Sequence, residues 1–311
     1  MTQPAIKSES VWIQAATPKK IRNLKETIIE VILFLAAFSS VATTIGIMEV
    51  LILESVHFFE KVPLIQFLTD TVWSPLFADP RYGILPLLSG TLTTSIVAMF
   101  VSIPLGTIAA IYLSEFAPPR LREVVKPCLE LLAAIPTVVY GYFAFLNVTP
   151  FLQTFLPDLP SFNMLSAGLV MGLMIIPLIS SISEDAMRAV PLTLREGSYA
   201  TGATRLQTAL NVVLPAAISG ISAAYILGVS RAVGETMIVA IAAGLQPNLT
   251  FNPFSEAATI TAYIVQVSLG DLPHGSIEYQ SIFAAGIMLV ILTLIFNIIG
   301  YFLAKKYREV Y

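Results

Sequence analysis

Charged residues are scarce in this chain of 311 residues: they make up only 12% of it, whereas hydrophobic residues make up 56%. Soluble domains usually carry about 25% charged residues, which keep their surfaces in contact with water. This composition therefore excludes an ordinary soluble globular fold. It indicates that the lipid bilayer is the solvent for most of the chain.

Residues for metal, redox and nucleotide chemistry are also few. The chain has one cysteine, Cys128, so an intramolecular disulfide and a thiolate metal cluster are both excluded. Neither His57 nor His274 has a partner at metal-ligand spacing on one helix face, and we expect no metal site. No Gly-Lys dipeptide occurs, which excludes a phosphate-binding P-loop. We therefore expect no enzymatic activity, no cofactor and no nucleic-acid partner.

Long uncharged segments dominate what remains. A membrane-spanning helix needs about 20 mostly apolar residues, and strands of a membrane barrel would instead alternate polar and apolar positions. The segments are apolar on both alternating sets of positions, which favours helices. They predict an all-α membrane protein with six transmembrane helices, within the segments Val31–Met48, Ile84–Ser114, Leu131–Pro157, Leu159–Ser183, Leu206–Ser230 and Tyr279–Ala304.

Basic residues gather on one side of this predicted topology. The N-terminal segment carries five of them, and the second-to-third connection, the fourth-to-fifth connection and the tail carry three each, whereas the opposite side has only Lys61 and Arg81. Lysine and arginine are retained on the cytoplasmic side of membranes. We therefore expect residues 1–26 to form a cytoplasmic segment, residues 27–311 to form the transmembrane domain, and both termini to face the cytoplasm.

The fourth-to-fifth connection, about residues 188–217, contains a spaced motif. Glu196, Gly202, Leu214 and Pro215 stand at the positions of the "EAA" signature, Glu-Ala-Ala, three residues, Gly, nine residues, Ile-x-Leu-Pro. Gly197 and Ser198 replace the two alanines, and Val212 replaces the isoleucine.

This motif resembles that of the permease subunits of ABC importers. A helix, a glycine break and a second helix would form a knob that can transmit rigid-body motion from a motor domain; the alternative is an ordinary loop with two helical turns. The resemblance implies a type I importer permease fold and a contact with an ATP-binding subunit through Glu196, Gly197, Ser198, Ala200 and Gly202.

Two further segments resemble one branch of this family. Glu130–Gly141, read as ELLAAIPTVVYG, and Ser230–Met237, read as SRAVGETM, are similar to the permeases of bacterial phosphate importers, and more so to the PstC-type subunit than to its PstA-type sister. This resemblance implies a place in the bacterial inner membrane. It also implies three kinds of partner: a PstA-like sister permease, a dimer of ATP-binding subunits and an external phosphate-binding protein.

One pair of charges lies inside an apolar segment. Arg231 and Glu235 are four residues apart, so a continuous helix would place them on one face, where they can pair. A charge in the membrane costs about 2.5–3.5 kcal/mol on insertion scales. We predict that Arg231 lies on the phosphate path and that Glu235 is its partner when the path is empty. The alternative is a buried ion pair with a structural role only.

Other functions stay open at this point. Within the importer class, the substrate could be another oxyanion, such as molybdate or sulfate. An ion-coupled secondary transporter is a second alternative, although the internal inverted repeats common in that class are not evident. A membrane scaffold would leave Arg231 unexplained. The predicted outer connections are acidic, with Asp271, Glu256 and Glu278 in the last of them, so we expect anion capture to depend on a separate protein.

Overall fold

The computed structural model describes Lys19–Lys306, with side chains from Glu26 onward. Most of the predicted cytoplasmic segment 1–26, and Arg308 of the basic tail, lie outside the described residues. The chain divides into two units, Met1–Val50 and Leu51–Tyr311. The described part of the first unit is helical, and nearly all its side chains from Glu26 onward are exposed.

Helices make up nearly all the regular structure of the described residues, which contain no β-strand beyond an isolated antiparallel bridge between Trp73 and Tyr82. Three π-helical turns, at Tyr112–Phe116, Ala144–Val148 and Ala209–Val213, continue or join them. The α-helices are α1 Lys19–Lys61, α2 Leu64–Thr69, α3 Leu85–Ile111, α4 Pro119–Ala134, α5 Thr137–Phe143, α6 Thr149–Gln153, α7 Met164–Arg188, α8 Leu192–Ala200, α9 Arg205–Thr208, α10 Leu214–Ala216, α11 Ile218–Val233, α12 Met237–Ala242, α13 Ile260–Ser268 and α14 Ile277–Lys306.

Four of these helices are long and apolar enough to cross a membrane without a break. They are α1, α3 with its π-helical extension, α7 and α14. Two further spans arise if each of two bent helix pairs counts as one crossing, and the number then reaches six. The all-α prediction is thus confirmed, but the third and fifth spans are not the straight helices that the hydropathy suggested.

The third span bends by 85° between Ala134 and Thr137. Ile135 is extended, with ψ 131°, because the ring of Pro136 disfavours a helical residue before it. Pro136 itself is extended and precedes the first residue of α5. The predicted segment Leu131–Pro157 therefore contains a sharp bend near its start. Its first residues belong to α4, which carries Arg120, Arg122 and Lys126 and runs in another direction.

The fifth span bends by 73° at Ala217. Ala217 lies outside helical geometry, with φ −89° and ψ 1°, and it follows the motif residues Leu214 and Pro215. The predicted span Leu206–Ser230 is therefore not one straight helix: the helical segment Arg205–Ala216 precedes the bend, and α11 follows it. Hydropathy alone cannot locate such a bend, because both sides of it are apolar.

Small residues let α3 and α7 approach closely at the centre of the second unit. A Cβ atom added to Gly172 of α7 would lie 2.8 Å from the carbonyl oxygen of Ala98, and one added to Gly106 of α3 would lie 2.8 Å from Ile179. Neither distance is sterically allowed, so only glycine fits. Packing of this kind replaces the hydrophobic effect as the source of helix association in lipid.

Aromatic side chains form a separate cluster around the connection between α1 and α3. Phe58, Phe67, Trp73, Tyr82 and Tyr263 are all buried, and the rings of Trp73 and Tyr263 meet edge to face with centroids 4.9 Å apart. Burial raises the pKa of Tyr82 to about 12, and the nearby Glu278 adds to this shift. The Tyr82 hydroxyl is therefore neutral at physiological pH, and the cluster is an uncharged anchor for the loop.

Candidate translocation site and coupling loop

Arg231 lies in the last turn of α11 and is half-buried. Within Lys19–Lys306, no side chain or carbonyl forms a hydrogen bond or an ion pair with its guanidinium group. The charge of Arg231 acts on Tyr140 of α5, whose hydroxyl donates its own hydrogen bond to the carbonyl of Leu132, at 2.8 Å. Arg231 thus holds a planar set of five donors that the described residues leave unused.

Glu235 has a different environment from the one predicted. α11 ends at Val233, Gly234 caps it, and Glu235 lies in the break before α12. Its buried carboxylate accepts hydrogen bonds from the N–H groups of Met237 and Ile238, at 3.1 and 3.3 Å. These are free amides at a helix start, where the helix dipole also favours negative charge.

The prediction that Arg231 and Glu235 share one helix face and pair is therefore wrong for this structure. The physical reason is the break at Gly234, which ends the 3.6-residue repeat between them. The carboxylate of Glu235 binds the amides at the start of α12. The backbone carbonyl of Glu235 accepts a hydrogen bond from the hydroxyl of Thr261 in α13, at 2.6 Å. The carboxylate holds the break in place, and the arginine is left without its expected partner.

The two segments that resemble phosphate-importer permeases meet at this place. A Cβ atom on Gly141, the last residue of the first segment, would lie 3.1 Å from the carbonyl of Met237, the last residue of the second. Ser230, beside Arg231, donates a hydrogen bond to Asn297 of α14, at 3.3 Å. Sequence reasoning did not select Tyr140 or Asn297. The available signals were the position of Tyr140 inside the first segment and the polarity of Asn297 within an apolar one.

The loop that carries the spaced motif folds as the motif predicts: a helix, a glycine turn and a second helix. Gly202 ends the first of them, α8, with φ +86°, a left-handed conformation that favours glycine. Its N–H donates to the carbonyl of Tyr199, at 2.9 Å. Thr204 then starts α9 with a capping box completed by Gln207. The alternative, an ordinary loop with two helical turns, shares this local geometry.

Four of the five residues selected for coupling are exposed: Glu196, Gly197, Ala200 and Gly202. Ser198 differs because its hydroxyl lies 2.9 Å from that of Thr208 and links the two helices of the knob. The knob therefore presents one surface outward, and Ser198 supports it from within.

A group of charges lies beside this loop, at one end of α4 and α7. The side chain of Glu184 is only 1% exposed, yet Lys126 lies 3.5 Å away and Arg122 and Arg188 each lie 3.8 Å away. Lys126 also contacts Asp185, at 2.8 Å. Basic residues of two predicted cytoplasmic connections thus meet at one end of the bundle, which agrees with their placement on one side of the membrane.

Comparison with known proteins decides the family. The family model described as "Binding-protein-dependent transport system inner membrane component" matches residues 102–309, which is well over half of the chain. This chain belongs to that family. The permease is thus a multi-pass inner-membrane component of an ABC importer. Members of the family act with an ATPase and a periplasmic binding protein and are not themselves enzymes.

Curated relatives of the permease include PstC-type subunits, and the predicted resemblance is confirmed. It is 35% identical over 251 residues to "Phosphate transport system permease protein PstC 1" of Mycobacterium tuberculosis, which covers 74% of each chain. It is also 34% identical over 299 residues to "Probable ABC transporter permease protein YqgH" of Bacillus subtilis, which covers 96% of each chain.

Solved structures agree on the fold. The permease matches a chain of a bacterial alginate ABC transporter, solved in complex with a periplasmic protein, with a TM-score of 0.64 and 18% identity over 93% of this chain and 98% of the other. It also matches the inward-facing MetNI methionine ABC transporter, with a TM-score of 0.55 and 19% identity over 73% of this chain and 98% of the other. The predicted fold of an ABC-importer permease is thereby confirmed.

Proposed function

We propose that this permease is the PstC-type subunit of an ATP-driven importer for inorganic phosphate and that Arg231 contributes to the anion path. The observation that carries the proposal is the unpaired guanidinium of Arg231 at the end of α11. A membrane protein accepts the cost of such a charge only where it pairs or serves transport. Since Glu235 is engaged elsewhere, the binding capacity of Arg231 is left for a ligand.

Phosphate suits this group by chemistry. Guanidinium is planar and permanently charged, and it binds two oxygens of a tetrahedral anion through parallel hydrogen bonds. The hydroxyl of Tyr140 and the amide of Asn297 lie on neighbouring spans, where they could add donors as the site changes shape. The phosphate-transport names of relatives with 35% identity also support this anion over another.

The expected partners follow from two features of this permease. It would supply only half of a translocation path, and it carries one knob. We expect a PstA-like sister permease to supply the other half, two copies of an ATP-binding subunit to receive the knobs, and an external phosphate-binding protein to deliver the anion. The exposed residues Glu196, Gly197, Ala200 and Gly202 would contact the ATP-binding subunit, with Ser198 supporting them. The knob and both termini would then face the cytoplasm.

Uptake by the complete assembly tests the substrate. Membrane vesicles that hold both permeases and the ATPase, with the binding protein outside, should accumulate labelled phosphate only when ATP is inside. Arsenate should compete, because it has the same charge and tetrahedral shape, whereas molybdate and sulfate should compete weakly. Strong competition by molybdate or sulfate, with little phosphate uptake, would instead identify a permease for another oxyanion.

A further inference from the structure

Arg195 joins the coupling helix to two membrane spans. It lies in α8, and its Nη1 and Nη2 atoms donate to the carbonyls of Val190 and Met187, at the C-terminal end of α7. The same Nη2 atom contacts Glu115 Oε1, at 3.1 Å, in the π-helical extension of α3. One side chain therefore connects α8 to the end of α7, which lies just before it in sequence, and to the extension of α3, which lies 80 residues away.

The contacts of Arg195 are sheltered from water. The side chains of Arg195 and Glu115 are only 11% and 7% exposed. Glu115 Oε1 also accepts a hydrogen bond from Ser114, at 2.9 Å, which fixes the carboxylate on its own helix. Low exposure strengthens a charge-assisted hydrogen bond and makes removal of one partner costly.

Arginine has the geometry that this position requires. Its planar fork donates in several fixed directions at once, whereas lysine presents a compact charge on a flexible stem. The carbonyl of Met187 lies in the last turn of α7, where helical partners run out and the N–H of Val190 also donates to it, at 3.2 Å, and the carbonyl of Val190 lies two residues beyond the helix. Arg195 thus satisfies the end of one span while it binds a carboxylate on another.

No other side chain ties α8 to the spans by hydrogen bonds in the part of the chain that the structure describes. Ser198 bonds to Thr208, which belongs to the knob itself. Leu194 packs against the cluster that contains Ala110 and Met187, but this contact is apolar and not directional. Arg195 therefore provides the directional side-chain contact between α8 and the spans α3 and α7.

We propose that Arg195 and Glu115 form a clamp through which α8 moves as one rigid body with α3 and α7, so that Arg195 is a positioning residue for energy coupling. α7 is in close contact with α3 along its length, and its contact with α11 leads to the span that carries Arg231. A rotation imposed on the knob by the motor would then reach the anion path. This inference rests on the proposed coupling role of the loop, but not on phosphate as the substrate.

The first test measures coupling in the full assembly. Glu115→Ala should leave Arg195 bound to α7 but release it from α3. We expect normal co-purification of the ATPase, normal ATP hydrolysis, and a fall of at least fivefold in anion transported per ATP. In Arg195→Lys, the amount of anion transported per ATP should fall by less, because the positive charge remains near Glu115. Arg120→Gln removes an arginine from the same side, at an exposed position with no described partner, and should keep the wild-type ratio.

A second test does not depend on the substrate. Spin labels at Leu192→Cys of α8 and Ile108→Cys of α3, both exposed, with Cys128→Ser as background, report the distance between the two helices. In the wild-type clamp, this distance should be the same in the nucleotide-free and ATP-trapped assemblies. In the Glu115→Ala variant, the label distance should differ between the nucleotide-free and ATP-trapped assemblies, or its distribution should broaden.

Three outcomes would overturn the clamp. These are a wild-type transport ratio in Glu115→Ala, a parallel loss of assembly and ATPase with an unchanged ratio, or a label distance that changes with nucleotide in the wild-type protein. If the assembly hydrolyses ATP but takes up no phosphate, the proposed substrate fails, and the label distances still decide whether the clamp exists.

Discussion

Arg231 and Arg195 occupy opposite situations in one permease. Arg195 is nearly buried and donates to two carbonyls and a carboxylate, whereas Arg231 is half-buried and has no described partner. The same contrast separates two carboxylates: Glu184 lies among three cations, and Glu235 binds backbone amides at a helix start. A charge with fixed partners stabilises the structure, and a charge without them is available to bind a ligand reversibly.

Arg231→Gln should have the largest effect of the changes considered. Loss of a charge-assisted contact in a sheltered site costs about 2–5 kcal/mol, so phosphate uptake should fall by about 30-fold or more. Arg231→Lys should recover part of it, because a point charge cannot reproduce the fork. Uptake of labelled phosphate by vesicles with the full assembly measures this loss.

The matched control for Arg231 is Arg81→Gln on the outer loop. Unlike Arg231, Arg81 pairs with a carboxylate, Asp70, at 3.4 Å, and its side chain is half-exposed. Exposed ion pairs contribute about 0–1 kcal/mol, and uptake should stay within twofold of wild type. Near-normal uptake by Arg231→Gln at normal expression would show that this arginine does not meet the anion.

Gly202→Pro should uncouple the knob. Proline needs φ near −65°, whereas Gly202 has φ +86° and donates a hydrogen bond to Tyr199. Strain of about 1–3 kcal/mol at this position should change the angle between α8 and α9, and uptake per ATP should fall by about tenfold. The ratio of labelled uptake to phosphate released from ATP is the measurement. Gly275→Pro, at another left-handed glycine with φ +82° in an outer loop, should leave that ratio unchanged.

Glu235→Gln should have a smaller effect than Arg231→Gln, and this difference tests the structure directly. If the two residues formed a buried pair, loss of either partner would be about equally damaging. If Glu235 only caps α12, the amide keeps one acceptor, and the cost is about 1 kcal/mol of stability. We expect uptake to fall by less than fivefold, with slightly lower thermal stability in detergent.

The double variant Arg231→Gln with Glu235→Gln completes this comparison. It should assemble but stay inactive, because the missing guanidinium is the cause of the loss. Restored uptake in the double variant would contradict the capping role and return Arg231 to half of a structural pair.

Thr193→Cys, in α8 but outside the residues selected for coupling, should have almost no effect on uptake, and it tests orientation. In a Cys128→Ser background, an impermeant thiol reagent should label this exposed position in inside-out vesicles and not in intact cells. The reason is the bias of basic residues to the cytoplasmic side, which the charges around Glu184 share. Labelling from outside the cell would reverse the proposed topology.

Sequence reasoning succeeded where one residue type has one structural consequence. The spacing of Gly202 from Glu196 predicted a turn between two helices, and only glycine readily adopts the φ that the turn has. The uncharged segments likewise predicted where the long helices lie. Such signals are local, so the rest of the fold does not override them.

Sequence reasoning did not locate the points where two apolar helical segments meet at an angle. The bends at Pro136 and Ala217 leave the hydropathy unchanged, and membrane helices often tolerate proline. The break at Gly234 was missed for the same reason, and with it the cap that engages Glu235. Contacts such as Arg195 with Glu115 join residues 80 positions apart and have no local signal.

The glycine contact between α3 and α7 has a thermal consequence. Backbone groups meet there, with Gly172 against Ala98, and lipid offers no hydration entropy to drive them together. Dispersion attraction between closely fitted atoms is an enthalpy, which does not fade on cooling as hydrophobic burial does. We expect this pair to stay associated in chilled bilayers, and Gly172→Leu to lower the unfolding temperature measured in vesicles. The association of α3 with α7 should therefore be stronger at low temperature and weaker at high temperature.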